Sequence, residues 1–357
     1  MKITSVDAIL VDEPAVTPAF RWRDGLPGSD GPTVAAWLRI GTDEGLFGYA
    51  PCRRGVILAD YVARRLEPEL LGNDPLSREL IWHRLWELDR IEDFPTYIQG
   101  VVDDALWDLA GKITGLPVHQ LIGSFRESVP SYASTVTFDS VEAYLDVVDQ
   151  CLDLGFSAIK LHAWGDLRRD RELCERLRAH VGPSVPLMFD GSAGYDLLDA
   201  IELGKTLAAA NYLWYEEPIK EFSISAYARL REKVDVPLLV GETSEGAHMN
   251  SAEFIHSNAA DALRTGSYYR GGITGALRIA HLAESFQMRA EVHGGGLANT
   301  HLCMSIPNNT YYEALIDSRH VRRPAEVDAN GLVHAPMGPG MGHEESWAAD
   351  GAPWLRG

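Results

Sequence analysis

Eight short apolar runs recur through the last two-thirds of this 357-residue chain, about 20 to 30 residues apart, and no other feature narrows the fold as far. They are VPSYAST, SAIKLH, PLMFDGS, YLWYEEP, PLLVGET, DALRTGS, RAEVHGG and TYYEALI, the first starting at Val129 and the last at Thr310. Each has the length of a buried strand, and most gaps between them carry a helical pattern such as DRELCERLRAHVG or GALRIAHLAESFQ. Strands alternating with helices imply a parallel sheet, because a parallel neighbour is reached only by a right-handed crossover over the sheet face. An open doubly wound sheet usually has fewer units, and eight point to closure into a barrel. The fold class expected is therefore α/β, a TIM-type barrel.

Upstream the pattern differs. ITSVDAILV and TVAAWLRIGTDEGLFGYA alternate as strands do and break at the turn-forming GTDEG. Between them TPAFRWRDGLPGSDGP reads as a loop with the freedom to move. From about residue 56 to 122 the apolar spacing becomes helical, as in LIWHRLWELDRI. The Gly/Pro-rich tail from about residue 320 is expected to pack back on the N-terminal part.

With 46% hydrophobic and 23% charged residues, the chain has the composition of an ordinary globular protein. A net charge of −19 argues against nucleic acid or an anionic membrane as a partner, though not against a small anionic substrate held at a local site. No apolar run approaches the ~18 residues that span a bilayer, and MKITSVDAIL lacks the apolar core of a secretory leader. Cys52, Cys151, Cys174 and Cys303 form no CxxC pair and read as reduced thiols, so a cytoplasmic location is expected.

In a barrel of this kind the active site lies at the C-terminal strand ends. Those ends supply Lys160 and His162, then Asp190, Glu216 and Glu242, and later His293 and Glu313. Three acids on consecutive strands repel one another unless a cation sits among them, and all-oxygen ligation at an open site suits Mg²⁺. Lys160 and His162, two residues apart on a strand, face the same side. If Mg²⁺ binds a substrate carboxylate, it stabilises the enediolate formed when the alpha proton leaves. The cation and Lys160 together favour neutral His162, the form that accepts a proton, while Lys160 assists at the substrate carboxylate. The plainer alternative is that Lys160 pairs a metal carboxylate and His162 only hydrogen-bonds nearby.

At these residues the chain resembles the enolase superfamily, in its mandelate racemase-like branch. The resemblance extends over the length of the chain: DDALWDLAGKITGLPVHQLIG, YEEP, VGE, GGIT and GPGMG occur in the order seen in that family. It implies a modified (β/α)₇β barrel of residues 126–320. An α+β capping domain, residues 1–125, lies over it and is completed by a C-terminal segment, residues 321–357. It also implies that Asp190, Glu216 and Glu242 hold Mg²⁺ and that a protonated Glu313 hydrogen-bonds the substrate carboxylate. Two departures stand out. His162 replaces the second lysine of the family's Lys-x-Lys, and Gly266 stands where an Asp usually orients the seventh-strand histidine. Without that carboxylate His293 is expected to donate a proton or a hydrogen bond, not to abstract a proton. Arg264 is expected to offset the metal-site carboxylates.

The function that follows is Mg²⁺-dependent dehydration of an acid sugar, an aldonate or aldarate, to a 2-keto-3-deoxy acid. His162 takes the alpha proton and His293 helps the beta hydroxyl leave. A racemase or epimerase using both histidines is the alternative, and a non-catalytic binding protein a remote one. Trp22, in a loop resembling the one that closes over substrate, and Arg53 and Arg54, in a second capping loop, are expected to contact it. Tyr268 is a further possible base. A homo-oligomer, from dimer to octamer, is expected.

Overall fold

The computed structural model describes residues 1–343. The chain opens with an antiparallel sheet of β1 (Ile3–Glu13), β2 (Thr33–Thr42) and β3 (Phe47–Cys52), paired in that order. On β2 the alternate residues Ala36, Leu38 and Ile40 are buried, as the two-residue period of a half-covered strand requires. Five helices follow: α1 (Gly55–Tyr61), α2 (Glu67–Leu70), α3 (Arg78–Glu92), α4 (Thr96–Thr114) and α5 (Val118–Ile122). One apolar core joins this sheet to the helices, from Ile3 to Leu109.

All eight expected runs form strands: β4 (Ser128–Thr135), β5 (Ala158–His162), β6 (Leu187–Asp190), β7 (Tyr215–Glu216), β8 (Leu238–Val240), β9 (Ala262–Thr265), β10 (Arg289–Val292) and β11 (Tyr312–Ile316). A helix follows each of the first seven: α6 (Val141–Asp153), α7 (Leu167–Val181), α8 (Leu197–Ala209), α9 (Ile224–Arg231), α10 (Ala247–His256), α11 (Gly272–Ser285) and α12 (Leu297–Ser305). Parallel ladders run β10-β9-β8-β7-β6-β5-β4-β11. The remaining seam is bridged largely by side chains. Asn309 Oδ1 accepts from Val292 N at 2.9 Å, the Glu291 carboxylate from Thr310 N at 3.1 Å, and Glu313 from Gly294 N at 2.7 Å. The barrel is closed there by polar side chains in place of a backbone ladder.

The tail does not lie on the N-terminal part alone. A short β12 (Leu332–His334) pairs antiparallel with β4, and only then does Gly340 bond with Leu116 and Val118 of the first domain. The part of the proposed C-terminal segment from 344 to 357 lies outside the described residues. Among the described residues no helix is long and apolar enough to cross a membrane.

Helix α4 is buried almost all round between the sheet and the barrel, so each of its acids needs a partner. Asp103 accepts from Thr274 N at 2.8 Å and Oγ1 at 2.7 Å, and Asp104 accepts from Ile273 N at 3.1 Å. Two acids of the first domain thus cap the first turn of α11, whose own N-cap residue, Gly271, has no side chain to offer. Burial outweighs these hydrogen bonds and pushes Asp103 up to about 7. The GGIT motif is explained by the same contact: Gly272 has φ +77°, and a Cβ on it would lie 2.4 Å from Asp103 Cβ. Gly272→Ala is expected to destabilise the protein by about 2 kcal/mol or more through overlap and a left-handed backbone. Denaturant melts should show a lower midpoint at unchanged slope.

Candidate active site

Strand register sets the site. His162 pairs with Asp190 and Asp190 with Glu216, so three strands end level with functional side chains on one face. Glu242 follows β8 after Gly241, whose φ of +92° turns the chain back towards the barrel axis. One ligand atom each of Asp190, Glu216 and Glu242 falls within 4.8 Å of the others.

Lys160 lies beneath them, 1% exposed. Its Nζ is 3.2 Å from Asp190 Oδ2, 3.0 Å from Glu216 Oε2 and 2.7 Å from Glu313 Oε1. An ammonium has three N–H donors, and three carboxylates occupy them. The plainer reading of Lys160 is therefore the one the geometry favours; it has no donor left for a substrate carboxylate. Arg264 completes the floor. Its Nε donates to Glu216 Oε1, and its Nη2 to Glu313 Oε2 at 2.8 Å and to the Tyr132 hydroxyl at 2.9 Å. It offsets the acids as expected.

Four carboxylates face two fixed cations here. Burial alone would raise Asp190, but His162 and Lys160 outweigh it and hold its carboxyl below the usual range. Burial likewise opposes the charge on Lys160, and Glu216 and Glu313 overcome it to keep the ammonium. Glu242 has no lysine or arginine within ion-pair distance among the described residues, and burial plus the charges of Asp190 and Glu216 push it up. A clustered, all-oxygen set with two negative charges in excess, Glu242 paired to neither cation, fits a divalent cation of the Mg²⁺ type.

His162 Nδ1 lies 2.7 Å from Thr135 O, a group that only accepts, so Nδ1 carries the hydrogen. Nε2 faces the cleft 3.0 Å from Asp190 Oδ2, which it bonds only when it too is protonated, so it serves as a base once Asp190 is turned to another partner; the Trp22 ring lies 4.6 Å from the imidazole. Across the mouth, His293 Nε2 is 3.1 Å from Glu242 Oε1. Burial drives His293 down to about 3, against the pull of Glu313 and with the help of Arg264 and Lys160. Burial thus disfavours the charged form of His293, so of the two expected roles the free site favours hydrogen-bond donation over release of a proton. Gly266 does leave the usual carboxylate missing, and a Cβ there would approach His293 O to 3.2 Å.

Glu313 needs a correction. Burial would raise it, but Lys160, Arg264 and His293 bring it well below the usual range, and Gly294 N also donates to it. In this site it is a carboxylate, not the protonated donor that the resemblance implies. Trp22 and Arg53 line the resulting cleft, about 790 Å³ of open space, and the Arg53 guanidinium sits 5.3 Å over the Tyr268 ring. Arg54 does not line it; it is exposed at the start of α1, since the chain turns into the helix just after Arg53. Tyr268 stacks on Tyr97 outside the cleft, and burial raises its hydroxyl.

Sequence reading missed two supports. Glu217, the second acid of YEEP, accepts from Gly241 N at 2.8 Å and Glu242 N at 3.1 Å and so aims Glu242; the doubled acid was its signal. Thr135 acts through its carbonyl, which no side-chain pattern reveals.

Residues 143–349 match the enolase C-terminal domain-like family, and residues 30–123 match the mandelate racemase / muconate lactonizing enzyme N-terminal domain. The chain is 29% identical to D-galactarolactone cycloisomerase of Agrobacterium fabrum, over 86% of this chain and 88% of that one. It is 28% identical to D-mannonate dehydratase of a Sphingomonas species, over 85% and 87%. The fold superposes on D-glucarate dehydratase from Agrobacterium tumefaciens, complexed with magnesium, with a TM-score of 0.89 at 31% identity, covering 98% and 97%.

Because a proton and a cation compete for Glu242, added Mg²⁺ should raise the melting temperature, and EDTA should cancel the gain. The sign follows from the raised Glu242: its protonated form stabilises the fold at low pH and that contribution is lost as pH rises. The Mg²⁺-dependent gain should therefore grow as the pH rises above the ordinary carboxylate range, as scanning fluorimetry can read.

Proposed function

We propose a function for a chain that belongs to the enolase superfamily, in its mandelate racemase / muconate lactonizing enzyme branch: Mg²⁺-dependent dehydration of an acid sugar, an aldonate or aldarate. The protein is an enzyme. The observation that carries the reading is a histidine oriented by a backbone carbonyl in one cleft with Asp190 and Glu242, and Glu216 buried within ligand distance of both acids. Relatives named as a mannonate dehydratase and a galactarolactone cycloisomerase support the substrate class.

Asp190, Glu216 and Glu242 would hold Mg²⁺, which would supply Lewis-acid stabilisation of the charge that grows on the substrate carboxylate. His162 Nε2 takes the alpha proton, while Thr135 O retains the hydrogen on Nδ1 and fixes the ring. Lys160 and Arg264 keep the acids in place without touching substrate. His293 lies on the facing wall. Neutral in the free site, it gains proton affinity when an anionic substrate arrives and then helps the beta hydroxyl depart as water. The resulting enol tautomerises to the 2-keto-3-deoxy acid. Trp22 and Arg53 contact the rest of the sugar chain. The partner is thus a small anion, and we place the enzyme in the cytoplasm as a homo-oligomer.

One observation favours a second reading. His293 lines the same cleft as His162, and two histidines in one cleft are what a racemase or epimerase of a carboxylate requires. A screen of mono- and diacid sugars with Mg²⁺ separates the two: 2-keto acid formation marks the dehydratase, and inversion with deuterium uptake but no keto product marks the epimerase. His162→Asn should slow alpha-proton exchange at least about 100-fold with the fold intact. Undiminished exchange in that variant would remove His162 from the base role.

A further inference from the structure

The loop between β1 and β2 lies over the barrel mouth, and two adjacent side chains in it reach two different strand ends. Trp22 sits against His162, the last residue of β5. Arg23 reaches past β6: its Nε donates to Ser192 O at 2.9 Å, and its Nη1 donates to Asp24 O at 2.9 Å. The aliphatic stem lies in a slot that two glycines leave open. A Cβ on Gly194 would come within 2.9 Å of Arg23 Cδ, and one on Gly165 within 3.3 Å.

The turn that receives Arg23 is itself unusual. Ser192 and Ala193 both have left-handed backbones, φ +44° and +53°, a conformation that costs non-glycine residues free energy unless their surroundings hold it. Ser192 N also donates to Asp190 Oδ1 at 2.8 Å. The guanidinium therefore bonds to the carbonyl of a residue whose own N–H orients a cleft carboxylate. Beyond the packing of Phe20 and Trp22 on the barrel core, the loop has other polar ties. They are Asp24 N to Trp164 O at 3.2 Å, Thr137 N to Arg21 O at 2.9 Å, and an exposed Arg169–Asp24 pair at 3.3 Å of the kind that adds little.

We propose that Arg23 is a positioning residue, the latch that holds this loop shut and keeps Trp22 seated on the His162 imidazole. The charge-assisted bond to Ser192 O, made in a slot only glycines allow, sets the closed population. Since Trp22 and Leu26 line the cleft, substrate enters only when the latch lets go, and the base is shielded from water only when it holds. The consequence for turnover rests on the catalytic reading of the cleft; the latch itself does not.

Hydrogen exchange of the full-length protein without substrate tests it. In Arg23→Ala, amides of residues 20–29 should exchange about 10- to 100-fold faster, with little change in melting temperature. Arg23→Lys, which retains the stem and a charged donor, should recover part of the protection. Gly194→Ala fills the slot and should speed exchange in the same segment. Because its Cβ also nears Gly191 O at 2.9 Å, the double variant decides the cause. If Gly194→Ala acts through Arg23, it adds nothing to the exchange of residues 20–29 in the Arg23→Ala background. Unchanged protection in Arg23→Ala, or fully additive effects in the double variant, would overturn the proposal. If loop exchange responds as expected while no sugar acid is turned over, the latch stands and the dehydratase reading falls; turnover with an unresponsive loop has the converse meaning.

Discussion

Lys160 is buried where Asp190, Glu216 and Glu313 converge, and its ammonium allows carboxylates from β6, β7 and β11 to meet inside one barrel. Taken singly, each buried charge would be costly; removing one partner from such a group typically costs 3–5 kcal/mol because the rest lose their compensation. With Arg264, two cations face four carboxylates, and among the described residues Glu242 has no lysine or arginine within ion-pair distance. The division of labour follows from that imbalance. Lys160 and Arg264 are committed to holding acids, the residual negative charge invites a divalent ion, and the chemistry falls to the histidines on either side.

Those histidines differ for a physical reason. His162 has its hydrogen fixed by a carbonyl and its free nitrogen beside a low-lying Asp190. His293 has lost the aspartate that would stabilise its charged form, and burial leaves it neutral. Unequal partners suit an elimination, in which one group takes a proton and the other handles a leaving hydroxyl at a different carbon. The pocket is then finished by the first domain, whose Asp103 and Asp104 cap α11 and whose β1–β2 loop lays Trp22 on the base. Neither domain makes the cleft alone.

Much of this was legible in the chain because it repeats. Strands β4 to β11 announce themselves by short apolar runs at regular intervals, since a barrel stave buried on both faces must be apolar wherever it occurs. Asp190, Glu216 and Glu242 could be singled out because the last residues of each run are the ones that face the mouth. What escaped was pairing across long distances. That Glu217 aims Glu242, that Asn309 and Glu291 bridge the seam between β10 and β11, and that β12 lies on β4 depend on neighbours far apart in sequence. Arg54 shows the limit from the other side: adjacent to Arg53 and chemically identical, it is turned away by the start of α1.

The amino-acid sequence by itself determined the strand–helix alternation, the order of acids and histidines along it, and so the kind of ion and chemistry the mouth can host, because side-chain type and local period are properties of the chain alone. Protonation was decided only in three dimensions. Whether Glu313 is an acid or a carboxylate, whether His293 carries a charge, and whether Lys160 is free for substrate depend on how many donors and charges folding brings within about 3 Å. Electrostatic energy in a poorly screened interior varies with those distances, and no linear pattern records them.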